Sequence, residues 1–105
     1  MTPEESLPII TERIVDQFHP LQVILFGSLA RGDARPDSDV DVLVVLPRLD
    51  SKHQARVAIL RALSDLTVPV DILVATPDEI AGRAPALGSV LRPALREGKV
   101  LYEHS

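Results

Sequence analysis

Two aspartates, Asp39 and Asp41, stand at the start of an apolar segment that is rich in β-branched residues. Side chains two positions apart on a strand point to the same face, so these carboxylates should lie side by side. Neighbouring carboxylates raise each other's pKa unless a cation lies between them. Oxygen ligands select hard cations, and Mg²⁺ is commonly held by one or two carboxylates together with substrate phosphates. The pair therefore predicts a divalent-metal site that acts on a phosphorylated substrate.

A glycine and a serine, Gly27 and Ser28, end the preceding apolar segment, and ten residues separate them from Asp39. Glycine lets the backbone approach a ligand closely, and a serine hydroxyl with free N–H groups can hold phosphate oxygens. A phosphate-binding Gly-Ser turn beside a metal-binding Asp-x-Asp pair indicates transfer of a phosphoryl-type group.

A third aspartate, Asp71, lies inside the apolar segment 68–74, where burial of its charge is unfavourable unless a cation or a metal compensates. If this segment is a strand beside that of Asp39 and Asp41, its carboxylate reaches the same cluster. In two-metal sites one ion activates the attacking oxygen and the other stabilises the leaving group. Three carboxylates suit that arrangement.

Each of these features also has a simpler explanation. A polar segment between two strands is usually only a loop, and acids at the start of a strand often protect a sheet edge. Arg31 lies in the loop that should face the phosphates, but an ion pair with Asp33 or Asp37 explains it equally well. The case for function depends on the spacing of the whole Gly-Ser and Asp-x-Asp pattern.

Other chemistries are excluded or disfavoured. The chain has no cysteine, which removes disulfides, thiolate zinc sites and cysteine nucleophiles. It has no Gly-Lys-Ser/Thr of a P-loop, and Ser28 lacks the second glycine of a Gly-x-Ser-x-Gly nucleophile turn. The histidines, at positions 19, 53 and 104, have no metal-ligand spacing.

A net charge of −4 disfavours direct nucleic-acid binding. No membrane span or signal peptide is predicted, so we expect a cytoplasmic protein.

Hydrophobic periodicity and turn residues predict an α/β protein, and the 105 residues are expected to form one domain with helices packed on a small sheet. Pro69, near the start of the third strand, favours an edge position or a β-bulge in that strand. The predicted elements are a helix capped by Ser6 and ended by Pro20, strands over 21–26 and 39–46, a helical turn near 29–32, a helix over 51–66, a strand over 68–75, a helix beginning at Thr76, short helices up to residue 98 and a final strand over 100–102.

At these residues the sequence resembles the minimal nucleotidyltransferases of the DNA polymerase β-like superfamily. Their signature is Gly-Ser, ten residues and Asp-x-Asp, often with Ala-Arg-Gly after the serine, a serine before the first aspartate and a third aspartate on a later strand. The ending over residues 97–102 is also similar to the family's usual ending. The matching positions are Gly27, Ser28, Ala30, Arg31, Gly32, Ser38, Asp39, Asp41 and Asp71.

The resemblance implies a small mixed β-sheet with helices packed on it, the nucleotidyltransferase fold found in the palm of polymerase β. It also implies that ATP binds with two Mg²⁺ ions, for which Mn²⁺ could substitute, and that AMP passes to an acceptor hydroxyl. Stand-alone members of this size commonly pair with an all-helical HEPN protein, an RNase toxin. The antitoxin adds AMP to a tyrosine hydroxyl of that toxin.

The resemblance also assigns roles to individual residues. Asp39 and Asp41 would bind both metal ions, and Asp71 would bind the catalytic metal and help to deprotonate the acceptor. Gly27 and Ser28 would hold the β- and γ-phosphates. Arg31 and Ser38 are the remaining candidates for nucleotide binding.

Two other functions stay open. The same fold could neutralise a toxin by covering it without turnover, although a pure binding protein does not require three clustered acids. It could also modify a small molecule, although such enzymes usually carry a further helical domain. With one tyrosine, two phenylalanines and no tryptophan, the chain offers little aromatic surface for stacking a base, so its nucleotide preference is not predicted.

Overall fold

Helices and strands alternate along the chain in the computed structural model, which describes residues 2–33, 35, 38–80 and 98–104. This order confirms the predicted α/β fold, and the predicted short helices within 81–97 lie outside the described residues. The elements are α1 (Pro3–Phe18), β1 (Gln22–Phe26), α2 (Gly27–Arg31), β2 (Val40–Val45), α3 (Lys52–Ala62), β3 (Val70–Ala75), α4 (Pro77–Ile80) and β4 (Lys99–Glu103).

The first helix begins earlier than the sequence predicted. Thr2 is its N-cap, and Thr2 and Glu5 form a reciprocal capping box, with hydrogen bonds of 2.8 and 3.1 Å. Ser6, the predicted cap, is instead buried inside α1, where its hydroxyl donates to the carbonyl of Pro3 at 2.6 Å. Pro8 therefore lies beyond the first turn and removes one helical hydrogen bond. The predicted cap at Ser6 is therefore wrong, and the three-residue spacing of Thr2 and Glu5 is the sequence signal of the actual cap.

The described strands form a four-stranded sheet in the order β3-β2-β1-β4. β1 pairs antiparallel with β2 and with β4, whereas β2 and β3 are parallel, which confirms the predicted mixed sheet. Parallel neighbours need a crossover connection, and α3 supplies it between β2 and β3. The expected edge position of the strand after Pro69 is also confirmed, because β3 has a partner on one side only among the described strands.

The two faces of the sheet differ because successive side chains of a strand alternate in direction. The even-numbered residues of β2 belong to the larger core cluster, together with Ile10 of α1 and Ile59 of α3. Leu43 belongs to a smaller cluster on the opposite face. Asp41 and Asp71 share the strand parity of that smaller cluster. The two carboxylates therefore lie opposite the face that packs on α1 and α3. Of the helices that the structure describes, none is both long and apolar enough to cross a membrane.

Candidate active site

The pairing of β1 with β2 brings the glycine of the sequence pattern against its second aspartate. Phe26, the last residue of β1, is the register partner of Asp41, and Gly27 follows directly. Gly27 has a φ of +76°, a conformation that L side chains rarely adopt. A Cβ built on Gly27 would overlap Oδ2 of Asp41 and lie 3.1 Å from its Cγ. Glycine is thus required here both by backbone conformation and by the space that the Asp41 carboxylate occupies.

Asp41 and Asp71 are register partners on the neighbouring strands β2 and β3. Partial burial raises the pKa of Asp41, and the nearby negative charges of Asp71 and Asp39 raise it further, while the positive charge of Arg31 acts in the opposite direction. The predicted adjacency of the third strand is therefore confirmed. The Asp41 carboxyl experiences both other acids of the pattern as like charges, which is the condition that a bound cation would relieve.

The side chain of Asp71 is more exposed than the apolar sequence around it predicted. Its side chain is 51% exposed, because β3 is an edge strand and Asp71 does not lie on the packed face. The expected burial of this charge is wrong. The Asp71 carboxylate has a cationic neighbour, since Nη2 of Arg56 lies 3.4 Å from its Oδ1.

Ser28 is the second residue of α2, a single-turn helix that opens directly from β1. The helical turn predicted near residues 29–32 is thereby confirmed. The carbonyl of Ser28 accepts hydrogen bonds from the N–H groups of Gly32 and Asp33, the latter at 3.1 Å. Gly32 ends the helix in the left-handed conformation, with a φ of +83°. Phe26 provides no side-chain cap to the first turn, whose N–H groups have no partner within the helix.

Ser38 and Asp39 lead into β2. The hydroxyl of Ser38 accepts a hydrogen bond from the N–H of Arg35 at 2.7 Å, and the N–H of Ser38 donates to the carbonyl of Arg35 at 2.9 Å. Next along the chain, the N–H of Val40 donates to the carbonyl of Pro69 at 2.9 Å. Ser38 thus closes a turn that positions the exposed Asp39 at the start of the strand. Its predicted contact with nucleotide stays a prediction.

Arg31, the last residue of α2, lies 3.5 Å from Asp33 through its Nε atom. Both side chains are exposed, so this pair contributes little to stability. The ion pair with Asp33, which would explain Arg31 without a role in nucleotide binding, is therefore present. The alternative partner, Asp37, lies outside the described residues. The positive charge of the same guanidinium partly offsets the upward shift of the Asp41 pKa, so Arg31 acts on the carboxylate cluster as well.

Residues 7–97 match the model of the nucleotidyltransferase domain family, a range that contains every site residue named above. The chain belongs to this family. A proposed protein adenylyltransferase from Methanocaldococcus jannaschii is 43% identical over 56 residues, which cover 50% of this chain and 52% of the relative. The chain thus spans about half the length of the curated relative that it matches.

Solved structures share the fold of this nucleotidyltransferase domain. A chain in the crystal structure of a toxin–antitoxin with AMP-PNP superposes with a TM-score of 0.70 at 25% identity, covering 94% of this chain and 74% of that chain. A proposed nucleotidyltransferase from Sulfolobus solfataricus has a TM-score of 0.66 at 22% identity, covering 97% of this chain and 84% of that chain. The second likeness shows the fold alone.

The three carboxylates of the nucleotidyltransferase domain fit a divalent cation by their chemistry. All are hard oxygen donors, and partial burial, together with the negative charges of Asp71 and Asp39, raises the pKa of Asp41. Within the described ranges, however, no three acidic or histidine side chains converge closely enough to form a ready metal-binding group. The strands thus place Asp41 and Asp71 in register, with Asp39 directly before β2, but the three side chains do not form a closed metal-binding group.

Sequence reasoning missed Arg56, which lies on α3 of the nucleotidyltransferase domain. Its Nε donates to the carbonyl of Ile72 at 3.1 Å, and its Nη2 reaches Asp71. The periodicity of α3 showed which residues pack on the sheet, and a polar residue outside that set carries no signal of a particular partner. Only the packing of α3 against β3 reveals the contact.

Proposed function

We propose that this nucleotidyltransferase domain transfers AMP from ATP to a hydroxyl group of a partner protein and thereby silences that partner. The observation that carries the proposal is the pairing of Asp41 with Asp71 across β2 and β3, with Gly27 packed directly against Asp41. Carboxylates beside a Gly-Ser turn provide the two features that nucleotidyl transfer needs, namely cation binding and phosphate binding. Membership of the nucleotidyltransferase domain family supports the same chemistry.

In this proposal each residue of the pattern keeps the role that the sequence suggested. Asp39 and Asp41 would hold two Mg²⁺ ions, or Mn²⁺ in their place, and Asp71 would contribute to holding one of them. When bound, the ions neutralise phosphate charge and stabilise the leaving oxygen. Gly27 and Ser28 hold the β- and γ-phosphates through the hydroxyl and the first-turn N–H groups of α2. Arg31 and Ser38 complete the nucleotide-binding set.

The transfer step balances as a displacement at the α-phosphorus. The acceptor oxygen forms a bond to that phosphorus while its proton passes to Asp71, and the bond to the bridging oxygen of the β-phosphate breaks. Pyrophosphate leaves with the electron pair of the broken bond. The contribution of the protein is positioning and charge neutralisation, which dominate catalysis of this type of reaction.

A macromolecular acceptor suits the position of Asp71. Its side chain is half-exposed on an edge strand, so a hydroxyl carried by another protein can approach it without entering a deep cavity. The similarity to a protein named as a proposed protein adenylyltransferase supports a protein acceptor. The likeness to a toxin–antitoxin structure with AMP-PNP supports a toxin as partner.

We further propose that the partner is a HEPN-family RNase toxin, that the acceptor is a tyrosine hydroxyl, and that both proteins act in the cytoplasm. In this proposal residues 1–105 act as a single minimal nucleotidyltransferase domain, and the toxin supplies the surface that presents the acceptor. A non-catalytic antitoxin is the competing function, because among the described residues no three acidic or histidine side chains already form a metal-binding group.

Intact-mass measurement of the partner tests the proposal. The purified candidate partner, a HEPN-family protein, is incubated with ATP, Mg²⁺ and a small molar fraction of this chain. The expected result is a mass increase equal to one or more AMP groups, located on tyrosine by fragmentation. An unchanged partner mass, with the partner nevertheless inhibited, would contradict transfer and favour covering of the toxin.

Two variants make this measurement specific. Asp71→Ala removes the proposed proton acceptor, and we expect the mass increase to disappear. Asp50→Ala removes an exposed carboxylate of the β2–α3 connection, which belongs to no part of the proposed site. The second variant should modify the partner as the parent does, which separates a loss of the site from a loss of negative charge.

A further inference from the structure

Arg56 uses one planar group to contact two consecutive residues of β3. The side chain extends from α3 to the outer edge of the sheet, where Nε donates to the carbonyl of Ile72 at 3.1 Å. Nη2 of the same guanidinium lies 3.4 Å from Oδ1 of Asp71. Because the backbone contact fixes the plane of the guanidinium, the position of Nη2 is fixed relative to β3.

Because both side chains of this ion pair are exposed, the pair adds little to the free energy of unfolding. The side chains of Arg56 and Asp71 are 47% and 51% exposed, and ion pairs at such positions contribute little to folding. An aspartate on an edge strand that has no partner can occupy several rotamers. Among the described residues, Arg56 is the one that forms a hydrogen bond with the Asp71 carboxylate, and it contacts a single oxygen.

We propose that Arg56 is a positioning residue for Asp71: by holding Oδ1, it fixes the orientation of the carboxylate and leaves Oδ2 available to the proposed site. This inference rests on the proposed transfer of AMP and adds a residue that the sequence pattern does not include. The guanidinium does not touch the reacting atoms in this assignment. Its effect passes through the orientation of one carboxylate.

Lys52 offers a matched control on the same helix. It lies one helical turn before Arg56 and forms an ion pair with Glu79, so α3 carries two cations that each reach an acid on a later element. Loss of Lys52 removes another ion pair of α3, with the less exposed Glu79, but does not touch Asp71. A general loosening of α3 would affect both variants, whereas loss of Asp71 positioning would affect only the Arg56 variants.

The experiment compares Arg56→Met, Arg56→Lys and Lys52→Met with the parent. The rate of transfer from α-labelled ATP to the purified HEPN-family partner is measured over a range of ATP concentrations with Mg²⁺. We expect Arg56→Met to lower kcat by about 10–100-fold, a typical effect of a misplaced reacting group, with KM for ATP unchanged. Arg56→Lys should also be slow, because an ammonium group cannot donate in the planar fork that contacts both residues. Lys52→Met should match the parent.

Three results would overturn the assignment. Parent-level kcat in Arg56→Met would show that the residue has no role in transfer. Full activity of Arg56→Lys would show that only its positive charge matters. An equal loss in Lys52→Met would show that α3 anchoring, rather than Asp71 orientation, is responsible.

Crystal structures of the parent and Arg56→Met separate this inference from the proposed function. We expect one Asp71 conformer in the parent and a rotated or split side chain in the variant, with the backbone of β3 unchanged. If the parent transfers no nucleotide, the proposed function fails, and these structures alone decide the positioning role. A variant in which Asp71 keeps its parent conformation overturns that role.

Discussion

Gly27 and Asp41 are packed so closely that no side chain fits between them. A Cβ on Gly27 would overlap Oδ2 of Asp41 and would lie 3.1 Å from its Cγ. The antiparallel register places Phe26 opposite Asp41, and the positive φ of Gly27 turns the chain out of the strand at once into α2. The two ends of the Gly-Ser and Asp-x-Asp pattern therefore form one packing unit, although a loop separates them in sequence.

We predict that Gly27→Ala disrupts both the site and the fold. The new methyl group must displace the Asp41 carboxylate, and overpacking of this kind destabilises proteins by about 1–3 kcal/mol. The left-handed conformation adds about 1–2 kcal/mol for a residue with a Cβ. Urea unfolding should therefore show a lower midpoint, and transfer of labelled AMP should be abolished.

Gly32→Ala is the matched control for that prediction. Gly32 has a similar φ of +83°, but a Cβ there would meet no atom within 4 Å among the described residues. This variant should lose only the conformational part, about 1–2 kcal/mol, and should retain transfer. Equal losses of activity in the two variants would show that the shape of α2, and not the contact with Asp41, limits the reaction.

Asp41→Asn should abolish transfer without weakening the fold at neutral pH. Burial and the charges of Asp71 and Asp39 raise the pKa of Asp41, so ionisation of this group opposes folding. The penalty is absent below the ordinary aspartate pKa of 3.8 and becomes complete as the pH rises through the raised value in the folded chain. The neutral amide avoids it, so the variant should melt at or above the parent temperature. A clearly lower melting temperature would contradict the assigned repulsion.

Much of the fold was accessible from the sequence because local signals and tertiary packing agree. The apolar segments that became β1, β2 and β3 are bounded by glycine, proline or acidic residues, and Pro69 indicated the edge strand. The start of α1 was misplaced because Thr2 and Ser6 are both good capping residues. The reciprocal bonds of the Thr2–Glu5 box decide between them, and the spacing of Glu5 from Thr2 was the signal that identifies it.

The candidate site could be predicted only in part because its pattern reports residue types and spacing, not exposure. The condition on which Asp71 was expected to approach the Asp-x-Asp pair is met, since β2 and β3 are neighbouring strands with Asp41 and Asp71 in register. The exposure of Asp71 depends on which face of an edge strand is covered, which an apolar run does not reveal. Arg56 contacts Asp71 through tertiary packing of α3 on β3, and nothing in its local sequence indicates that contact.

Asp65→Asn should reduce stability at neutral pH, and the difference from the parent should vanish in acid. Arg13 of α1 forms a bidentate ion pair with Asp65, and it also donates a hydrogen bond to the carbonyl of Ala62 at 3.1 Å. The hydrogen bonds from Arg13 lower the pKa of Asp65 below its usual 3.8. The stabilisation is therefore present above pH 3.8 and is lost as the pH falls through the lower folded value. Urea unfolding of both proteins across this range measures the effect, and a pH-independent difference would contradict the assignment.

Removal of divalent cations should abolish transfer, and added Mg²⁺ or Mn²⁺ should restore it, because the proposed ligands are carboxylate oxygens. Asp39→Asn and Asp41→Asn should not be rescued by the metal at any concentration that rescues the parent. Labelled ATP, the partner and a chelator titration provide the measurement, with Asp50→Asn as the control for a lost surface charge. Normal labelling by the double variant Asp39→Asn/Asp41→Asn would refute the assigned metal site.

The molar ratio needed for silencing separates an enzyme from a covering protein. If the chain modifies its partner, each molecule turns over, so a small molar fraction should silence the partner RNase when ATP is present and should have no lasting effect without ATP. If the chain only covers the partner, inhibition should follow a fixed molar ratio and be independent of ATP.

Asp71→Ala should lose silencing at a low ratio while still associating with the partner, because a single half-exposed carboxylate contributes little to a protein interface. RNase activity is measured against added parent or variant, with association followed by size-exclusion chromatography. One-to-one inhibition without ATP, equal for the parent and Asp71→Ala, would replace the proposed transferase with a binding antitoxin.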